Sequence, residues 1–157
     1  MYYNKIARGY NELHEEEQLK KIKIIKKYIK PKGLLLDIGA GTGISTKAFE
    51  KYCECIALDP SKEMLKHYKG KKFVGKAESL PFPNNYFDVI ISVTSLHLAN
   101  PEKAIKEIFR VAKPNAQIAI SILKKSKNQS KYKKLLKNFK QIEEEKDIIF
   151  IRTNQTY

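Results

Sequence analysis

Residues 34–43 read Leu34-Leu35-Leu36-Asp37-Ile38-Gly39-Ala40-Gly41-Thr42-Gly43. The apolar half is typical of a strand buried on both faces, and three glycines spaced two apart end it abruptly. Apolar residues at helical spacing then predict a helix over residues 44–51. Glycines let the backbone turn sharply and approach a ligand, and a helix start offers unpaired N–H groups. We therefore expect a ligand crevice at this turn, with Asp37 facing it and favouring a ligand that carries hydroxyls or an ammonium.

A second apolar run, from Cys55 to Asp59, also ends in a carboxylate. Pro60 and Ser61 then begin a further predicted helix, with Ser61 as its N-cap. Asp59 lies 20 residues beyond Gly39, which is where the acidic residue of a βαβ nucleotide site accepts hydrogen bonds from ribose hydroxyls. Together the two features indicate a nucleotide-like ligand more specifically than the glycines do alone.

The remaining chain continues to alternate between strands and helices. Helices are predicted over residues 15–30 and from Asn100-Pro101 onward, and strands over residues 73–74, 87–93, 117–123, 139–145 and 148–153. Such alternation predicts an α/β fold with a mostly parallel sheet and helices on both faces, closed by antiparallel strands at the C-terminal edge. We expect a single domain over residues 1–157, made of an N-terminal arm and helix (1–32), a ligand-binding core (33–123) and a short C-terminal part (124–157).

The chain is strongly basic, with 31 lysines and arginines against 17 acidic residues and a formal net charge of +14. All but three of the basic residues are lysines, and eight of them fall between Lys124 and Lys140. Lysine clusters bind polyanions such as RNA by releasing counterions. A Lys-, Ile- and Glu-rich composition is equally typical of thermophilic proteomes, so both interpretations stay open.

Cys53 and Cys55 are the two cysteines of the chain. Residues at i and i+2 of a strand are poor disulfide partners, and no further ligands lie nearby to complete a metal site. We expect both to be small apolar side chains in a reduced compartment, and we expect no metal. The N-terminus has no signal-peptide pattern and no apolar run is long enough to cross a bilayer, which predicts a cytoplasmic protein away from membranes.

Five motifs follow one another along the core: DIGAGTG (37–43), ALDPSKEML (57–65), AESLPF (77–82), FDVIISVTSLHL (87–98) and EIFRVAKPNAQIAIS (107–121). In this order they resemble the class I S-adenosylmethionine-dependent methyltransferases, which have a Rossmann-like, doubly wound fold. The N-terminal YNKIARGYNELH (3–14) also looks like the leading arm of that family. The resemblance implies S-adenosylmethionine as the cofactor and methyl transfer as the activity.

The resemblance also carries cofactor-binding roles onto matching positions of this chain. These positions are Asp37, Gly39, Ala40, Gly41, Gly43, Asp59, Pro60, Met64, Ala77, Glu78, Thr94, Ser95 and Tyr10. The glycine turn would lie under the methionine part of the cofactor, with Asp37 near its ammonium. Asp59 would accept hydrogen bonds from the ribose hydroxyls.

The same resemblance divides the rest of the crevice between the adenine and the reactive sulfur. Pro60 and Met64 would pack against adenine, and Ala77 would offer it a backbone N–H. Thr94 and Ser95 would border the sulfonium.

Two positions depart from the family pattern. Lys76 stands where the family usually has an aspartate that accepts a hydrogen bond from the adenine amino group, and a lysine cannot accept one. Glu78 or a backbone carbonyl would have to substitute. Asn115 replaces the usual glycine of a Lys-Pro-Gly turn, a mild change because asparagine also adopts positive φ.

Methyl transfer mainly requires alignment of the acceptor, the methyl group and the sulfur, and a general base is needed only when the acceptor loses a proton. His97 is the candidate base by residue type, although its place between Leu96 and Leu98 favours a packing role. Tyr10 is the second candidate, since the arm could carry it over the site.

RNA is the first acceptor suggested by the size and charge of the chain, with a small molecule or a protein as alternatives. Two other classes of protein stay open. A nicotinamide dinucleotide binder would need G-x-G-x-x-G, but Ile44 occupies the place of the third glycine. A non-catalytic cofactor-binding subunit that works with a protein partner is favoured by Lys76 and by the short C-terminal part.

Overall fold

The structure is a computed structural model that describes residues 2–153, with side chains from Glu12 onward. The helices are α1 (Tyr2–Tyr28), α2 (Ile44–Lys47), α3 (Lys62–Leu65), α4 (Pro101–Val111) and α5 (Gln129–Leu135), with a 3-10 turn at Leu96–Leu98. The strands are β1 (Leu34–Ile38), β2 (Glu54–Asp59), β3 (Lys71–Val74), β4 (Phe87–Val93), β5 (Ala112–Leu123), β6 (Lys140–Glu143) and β7 (Asp147–Arg152). Across these residues no helix combines the length and apolar character needed to pass through a bilayer.

The seven strands form one sheet in the order β3-β2-β1-β4-β5-β7-β6. Strands β1 to β5 are parallel, and β7 and β6 complete the sheet as antiparallel strands. The predicted α/β sheet with an antiparallel C-terminal edge is therefore confirmed. The chain builds outward from β1 to β3 and then restarts at β4 on the other side of β1. The carboxyl ends of β1 and β4 thus flank a topological switch point, where open α/β sheets bind ligands.

Alternate residues of the central strands enter two apolar layers, one on each face of the sheet. On one face Leu36 and Ile90 pack with the helices α4 and α5. On the other face Leu35 and Val89 pack with α1, whose Ile25 is fully buried. Burial of each such side chain is favourable by about 1.5–3 kcal/mol, so both faces hold the central strands in register.

The ends of three elements differ from the prediction. Helix α1 begins at Tyr2 rather than near residue 15, because an established helix gains one hydrogen bond for each residue added, even without an apolar period. Helix α2 ends at Lys47, and the hydrogen bonds from the N–H groups of Phe49 and Tyr52 then reach back only three residues. Strand β5 begins at Ala112, since the backbone is extended directly after α4. The predicted division of the chain into three parts stays a prediction.

Two predicted helix caps are confirmed. The Ser61 hydroxyl accepts a hydrogen bond from the Met64 N–H at 3.2 Å, and the Asn100 side chain accepts one from the Lys103 N–H at 3.0 Å. Each cap pairs an N–H group that the first turn of a helix leaves unpaired. Both caps fix the start of a helix that follows a strand end, and so help to shape the edge of the sheet described next.

Candidate active site

A cleft of about 430 Å³ opens at the carboxyl ends of β1, β2 and β4. It lies at the predicted crevice, beside the switch point of the sheet. The described residues that line it are Ile38, Gly39, Leu58, Asp59, Pro60, Gly75, Lys76, Ala77, Glu78, Thr94, Ser95, Leu96, His97, Leu98 and Ala99. Most of these side chains are apolar, with few polar groups placed among them, as is usual for small-molecule sites.

The glycine turn is fastened to β2 by its backbone. The N–H groups of Gly39 and Ala40 both donate to the Leu58 carbonyl, at 2.8 and 3.0 Å. Gly39, Gly41 and Gly43 all have positive φ, at 74°, 58° and 92°. A β-carbon at Gly39 would lie 2.1 Å from the Ser95 hydroxyl oxygen, whereas one at Gly41 would meet only the Met64 methyl carbon at 3.6 Å. Gly41 therefore faces open space.

Gly43 has a different role from the other two glycines. A β-carbon there would lie 2.5 Å from Cδ1 of Tyr68, a residue whose ring is buried beneath the turn. Gly43 is itself buried and does not line the cleft among the described residues. The structure thus explains this glycine by packing, and its predicted contact with the cofactor stays a prediction.

Asp59 is held at the floor of the cleft by two backbone groups. Its Oδ2 accepts a hydrogen bond from the Gly41 N–H at 2.9 Å, and its Oδ1 accepts one from the Ser61 N–H at 2.8 Å. An ionised carboxylate has about four acceptor positions, so two remain for a ligand. The carboxylate is buried apart from the part that lines the cleft, and its orientation is set before any ligand arrives.

Asp37 lies behind the turn rather than on the surface of the cleft. The carboxylate is fully buried, and its Oδ2 accepts hydrogen bonds from the hydroxyls of Ser45 at 2.5 Å and Thr46 at 2.7 Å. Its Oδ1 has no hydrogen-bond partner within the described part of the chain. Burial raises the pKa of Asp37 to about 7, the two hydroxyls oppose that rise, and Asp59 adds to it. The expectation that Asp37 faces the crevice directly is corrected, while its role near the ammonium stays a prediction.

The wall of the cleft at β4 begins with a strained residue. Thr94 has φ +54°, which costs a β-branched side chain about 1–3 kcal/mol. Its neighbour Ser95 donates a hydrogen bond to the Ile38 carbonyl at 3.0 Å and lies against Gly39. The Ser95 hydroxyl is thus used to join β4 to the glycine turn, and both residues line the cleft as predicted.

The adenine side of the cleft is formed by the segment after β3. Lys76, Ala77 and Glu78 all line it, and the Glu78 carboxylate accepts a hydrogen bond from the Asn100 N–H at 3.2 Å. Pro60 also lines this side. Met64 is exposed on α3 and, among the described contacts, approaches the glycine turn rather than the cleft. The role of an adenine acceptor in place of the usual aspartate stays with Glu78 or a carbonyl, as a prediction.

His97 lies in the 3-10 turn at the mouth of the cleft. Its Nδ1 is buried without a hydrogen-bond partner among the described residues. Its carbonyl accepts from the Asn128 side chain at 3.4 Å, which joins the turn to the start of α5. Leu98 follows on the same rim with 87% of its surface exposed. The side chain of the second candidate, Tyr10, lies outside the described residues.

Of the predicted cofactor residues, the cleft brings seven together, and the sequence interpretation also missed two residues that act on the site. The seven are Gly39, Asp59, Pro60, Ala77, Glu78, Thr94 and Ser95. Asp37, Ala40, Gly41, Gly43 and Met64 support the turn or adjoin it without lining the cleft within residues 2–153. The missed residues are Lys21 and Asp147, which contact Thr94 from opposite ends of the chain. Neither lies in a motif, so no sequence signal identified them.

A family profile described as a methyltransferase domain matches residues 36–120. The chain belongs to the methyltransferase domain family. The uncharacterised protein MJ1252 of Methanocaldococcus jannaschii is 38% identical over 119 residues, which cover 71% of this chain and 46% of that protein. The ubiquinone/menaquinone biosynthesis C-methyltransferase UbiE of Burkholderia mallei is 35% identical over 106 residues, 59% of this chain and 44% of that protein. This methyltransferase chain thus spans about half the length of these relatives.

The fold of the methyltransferase recurs among solved structures. An S-adenosylmethionine-dependent methyltransferase from Thermotoga maritima superposes with a TM-score of 0.75 at 20% identity, covering 98% of this chain and 96% of that one. The likeness shows the Rossmann-like fold. Together with the family profile, it makes S-adenosylmethionine the cofactor of this methyltransferase.

The residues of this methyltransferase fit that cofactor in two respects that the structure shows. Asp59 keeps two acceptor positions for vicinal hydroxyls, and the open space at Gly41 lies beside it. Asp37 holds an unpaired carboxylate oxygen behind the turn, where negative charge suits an ammonium. When bound, the cofactor supplies a methyl group activated by a positively charged sulfur. The residues of the chain bind it, orient it and exclude water.

Proposed function

We propose that this protein transfers the methyl group of S-adenosylmethionine to an acceptor that enters the cleft beside the 3-10 turn Leu96–Leu98. One observation carries the proposal: Asp59 is fixed at the cleft by the N–H groups of Gly41 and Ser61, with acceptor positions left over. A carboxylate oriented in advance binds two ribose hydroxyls without the cost of rearrangement. The glycine turn then receives the methionine end of the same molecule.

The walls of the cleft suit a displacement at carbon. Such a reaction needs the acceptor atom, the methyl carbon and the sulfur in line and shielded from bulk water. Ile38, Leu58 and Leu96 are buried side chains that supply apolar surface to the cleft. His97 is the proposed general base for acceptors that must lose a proton, since its unpaired Nδ1 can receive one. Tyr10 stays a second candidate on the N-terminal arm.

RNA is the acceptor class that we propose first. The segment from Lys124 to Lys140 carries eight lysines and no acidic residue. Asn128 of this segment donates hydrogen bonds to the carbonyls of His97 and Ala99, so the segment adjoins the rim of the cleft. A basic surface beside a cofactor cleft supports an acceptor with a phosphate backbone. The exposed Leu98 on the same rim supports the alternative, a small apolar acceptor.

Calorimetric titration with S-adenosylmethionine tests the site. We expect Asp59→Ala to weaken binding at least tenfold, because hydrogen bonds to a charged carboxylate are each worth about 1.5–3 kcal/mol. Glu63→Ala is the matched control, since Glu63 is an exposed acidic residue on the neighbouring helix α3. Thermal unfolding of both variants checks that the fold is kept. Unchanged affinity in a folded Asp59→Ala variant would overturn the site assignment, and a thermal shift with NAD alone would favour a dinucleotide binder.

Transfer of a radiolabelled methyl group to separated RNA, protein and metabolite fractions then tests the acceptor. We expect label in the RNA fraction, and less of it after His97→Ala if the accepting atom carries a proton. Label confined to protein or metabolites would replace RNA by that class. Tight cofactor binding with no label in any fraction would instead favour a non-catalytic subunit that depends on a protein partner.

A further inference from the structure

Thr94 is the residue at which the cleft wall leaves β4, and its backbone is left-handed at φ +54°. Asparagine, aspartate and glycine adopt this region readily, whereas a β-branched residue does so only when its surroundings enforce it. The next five residues, 95–99, all line the cleft. The conformation of Thr94 therefore sets the direction of the whole wall.

Four hydrogen bonds hold Thr94 in this conformation. Its N–H donates to the carbonyl of Ser121 at 3.1 Å and to the Ser121 hydroxyl at 2.9 Å. Its own hydroxyl donates to Oδ2 of Asp147 at 2.6 Å and accepts from the Lys21 ammonium at 2.8 Å. Strand β5 thus holds the backbone, while Asp147 and Lys21 hold the side chain.

Lys21 and Asp147 also form an ion pair of their own. The Lys21 nitrogen lies 3.1 Å from Oδ1 of Asp147, and the two side chains are only 3% and 0% exposed. Lys21 belongs to α1 and Asp147 to the start of β7, so the pair joins both ends of the described chain beneath Thr94. A buried ion pair is seldom more stabilising than apolar residues of similar size, so stability alone does not account for it.

We propose that Lys21 and Asp147 are positioning residues for cofactor binding: they clamp the Thr94 side chain, keep its backbone left-handed and thereby hold the wall 95–99 in the shape that receives the cofactor. The proposal rests on the proposed function of the cleft. Neither residue lines the cleft, and both act through Thr94. The wall is in this way linked to the docking of α1 on the sheet.

The test replaces the pair by apolar residues and measures cofactor affinity. Lys21→Met alone would leave a buried charge unpaired and could prevent folding, so the variant is the double substitution Lys21→Met with Asp147→Leu. This change removes both side-chain contacts to Thr94 and leaves no buried charge. We expect a melting temperature within a few degrees of the wild type and a Kd for S-adenosylmethionine raised at least tenfold.

A third substitution separates positioning from structural support. Thr94→Gly, added to the double variant, removes the strain of the left-handed backbone, since glycine adopts φ +54° without a clamp. We expect it to recover most of the lost affinity, although it restores no contact of Lys21 or Asp147. The control is Lys20→Gln with Glu145→Gln, an exposed pair that joins the same helix to the same hairpin at 3.8 Å without reaching Thr94. Its Kd should equal that of the wild type.

Each outcome decides the matter. A folded double variant that binds the cofactor within twofold of the wild type overturns the clamp, and so does failure of Thr94→Gly to recover any affinity. If the double variant does not fold, Thr94→Ala in the otherwise native chain removes the clamped hydroxyl alone and must itself weaken binding. A wild-type protein that binds no S-adenosylmethionine refutes the proposed function instead, which keeps the two failures distinguishable.

Discussion

Asp37 is the titratable group whose surroundings differ most from water at the glycine turn. It is fully buried, with hydroxyl donors on one oxygen only. Burial raises its pKa from 3.8 to about 7, so the folded protein binds a proton here more tightly than the unfolded chain does. The corresponding stability is fully present below about pH 4 and is lost as the pH rises towards 7.

We therefore expect the contribution of Asp37 to the free energy of unfolding to fall by up to about 4 kcal/mol between pH 4 and 7. Asp37→Asn should remove this contribution, because the amide oxygen still accepts from the hydroxyls of Ser45 and Thr46 but does not ionise. Urea unfolding of both proteins across that range measures it. The difference between the two curves isolates Asp37 from carboxylates such as Asp88, whose pKa is lowered by the Leu34 N–H. Parallel curves would contradict the prediction.

Two glycines of one turn should respond differently to alanine. At Gly43 a β-carbon would overlap Tyr68 at 2.5 Å with φ at +92°, so we expect Gly43→Ala to lower the free energy of unfolding by about 3 kcal/mol. At Gly41 the β-carbon enters open space, and backbone strain alone costs about 1–2 kcal/mol. The larger effect of Gly41→Ala should appear in calorimetry, as cofactor affinity reduced at least tenfold. Equal losses of stability at both positions would contradict this division of roles.

At the scale of elements, the sequence predicts best where a local signal has a local cause. Strand β4 runs from Phe87 to Val93 as predicted, because an apolar run is bounded by polar residues at one end and the turn at the other. The caps Ser61 and Asn100 follow from side chains that reach N–H groups three residues away. Helix α1 was placed too late because its first half has no apolar period, which is the signal on which the prediction depends.

The same reasoning explains what the sequence concealed at the site. The clamp joins Thr94 to Lys21 across 73 positions and to Asp147 across 53. No periodicity or spacing marks such a pair, and in the sequence Lys21 is one of many lysines on a helix. The left-handed backbone of Thr94 is equally concealed, since threonine is not a residue that predicts it. Motifs thus predicted which strands end at the cleft, while tertiary packing determined how its wall is held.

At the scale of the whole molecule, the lysines are distributed over two faces that the sheet separates. Helix α5 packs with α4 on one face, and α1 packs on the other. The segment from Lys124 to Lys140 contains α5 and adjoins the cleft through Asn128. The exposed lysines of α1 carry as much charge but belong to the opposite layer. General attraction of a +14 protein for RNA would involve both faces, whereas delivery of an acceptor to the cleft requires the α5 face.

This difference gives the last prediction its control. Four lysines of the α5 face, 125, 127, 131 and 134, are changed to glutamine in one variant, and four of α1, namely 23, 26, 27 and 30, in the other, so both lose the same charge. Filter binding to tRNA over 50–300 mM salt should show a steep slope of log K against log salt for the wild type. We expect the α5 variant to reduce that slope by about 2–3, since each neutralised phosphate contributes about 0.7–0.9, and the α1 variant to change it by less than 1. Equal reductions would mean binding by net charge alone, and a flat response in the wild type would remove RNA as the acceptor while leaving the cofactor site intact.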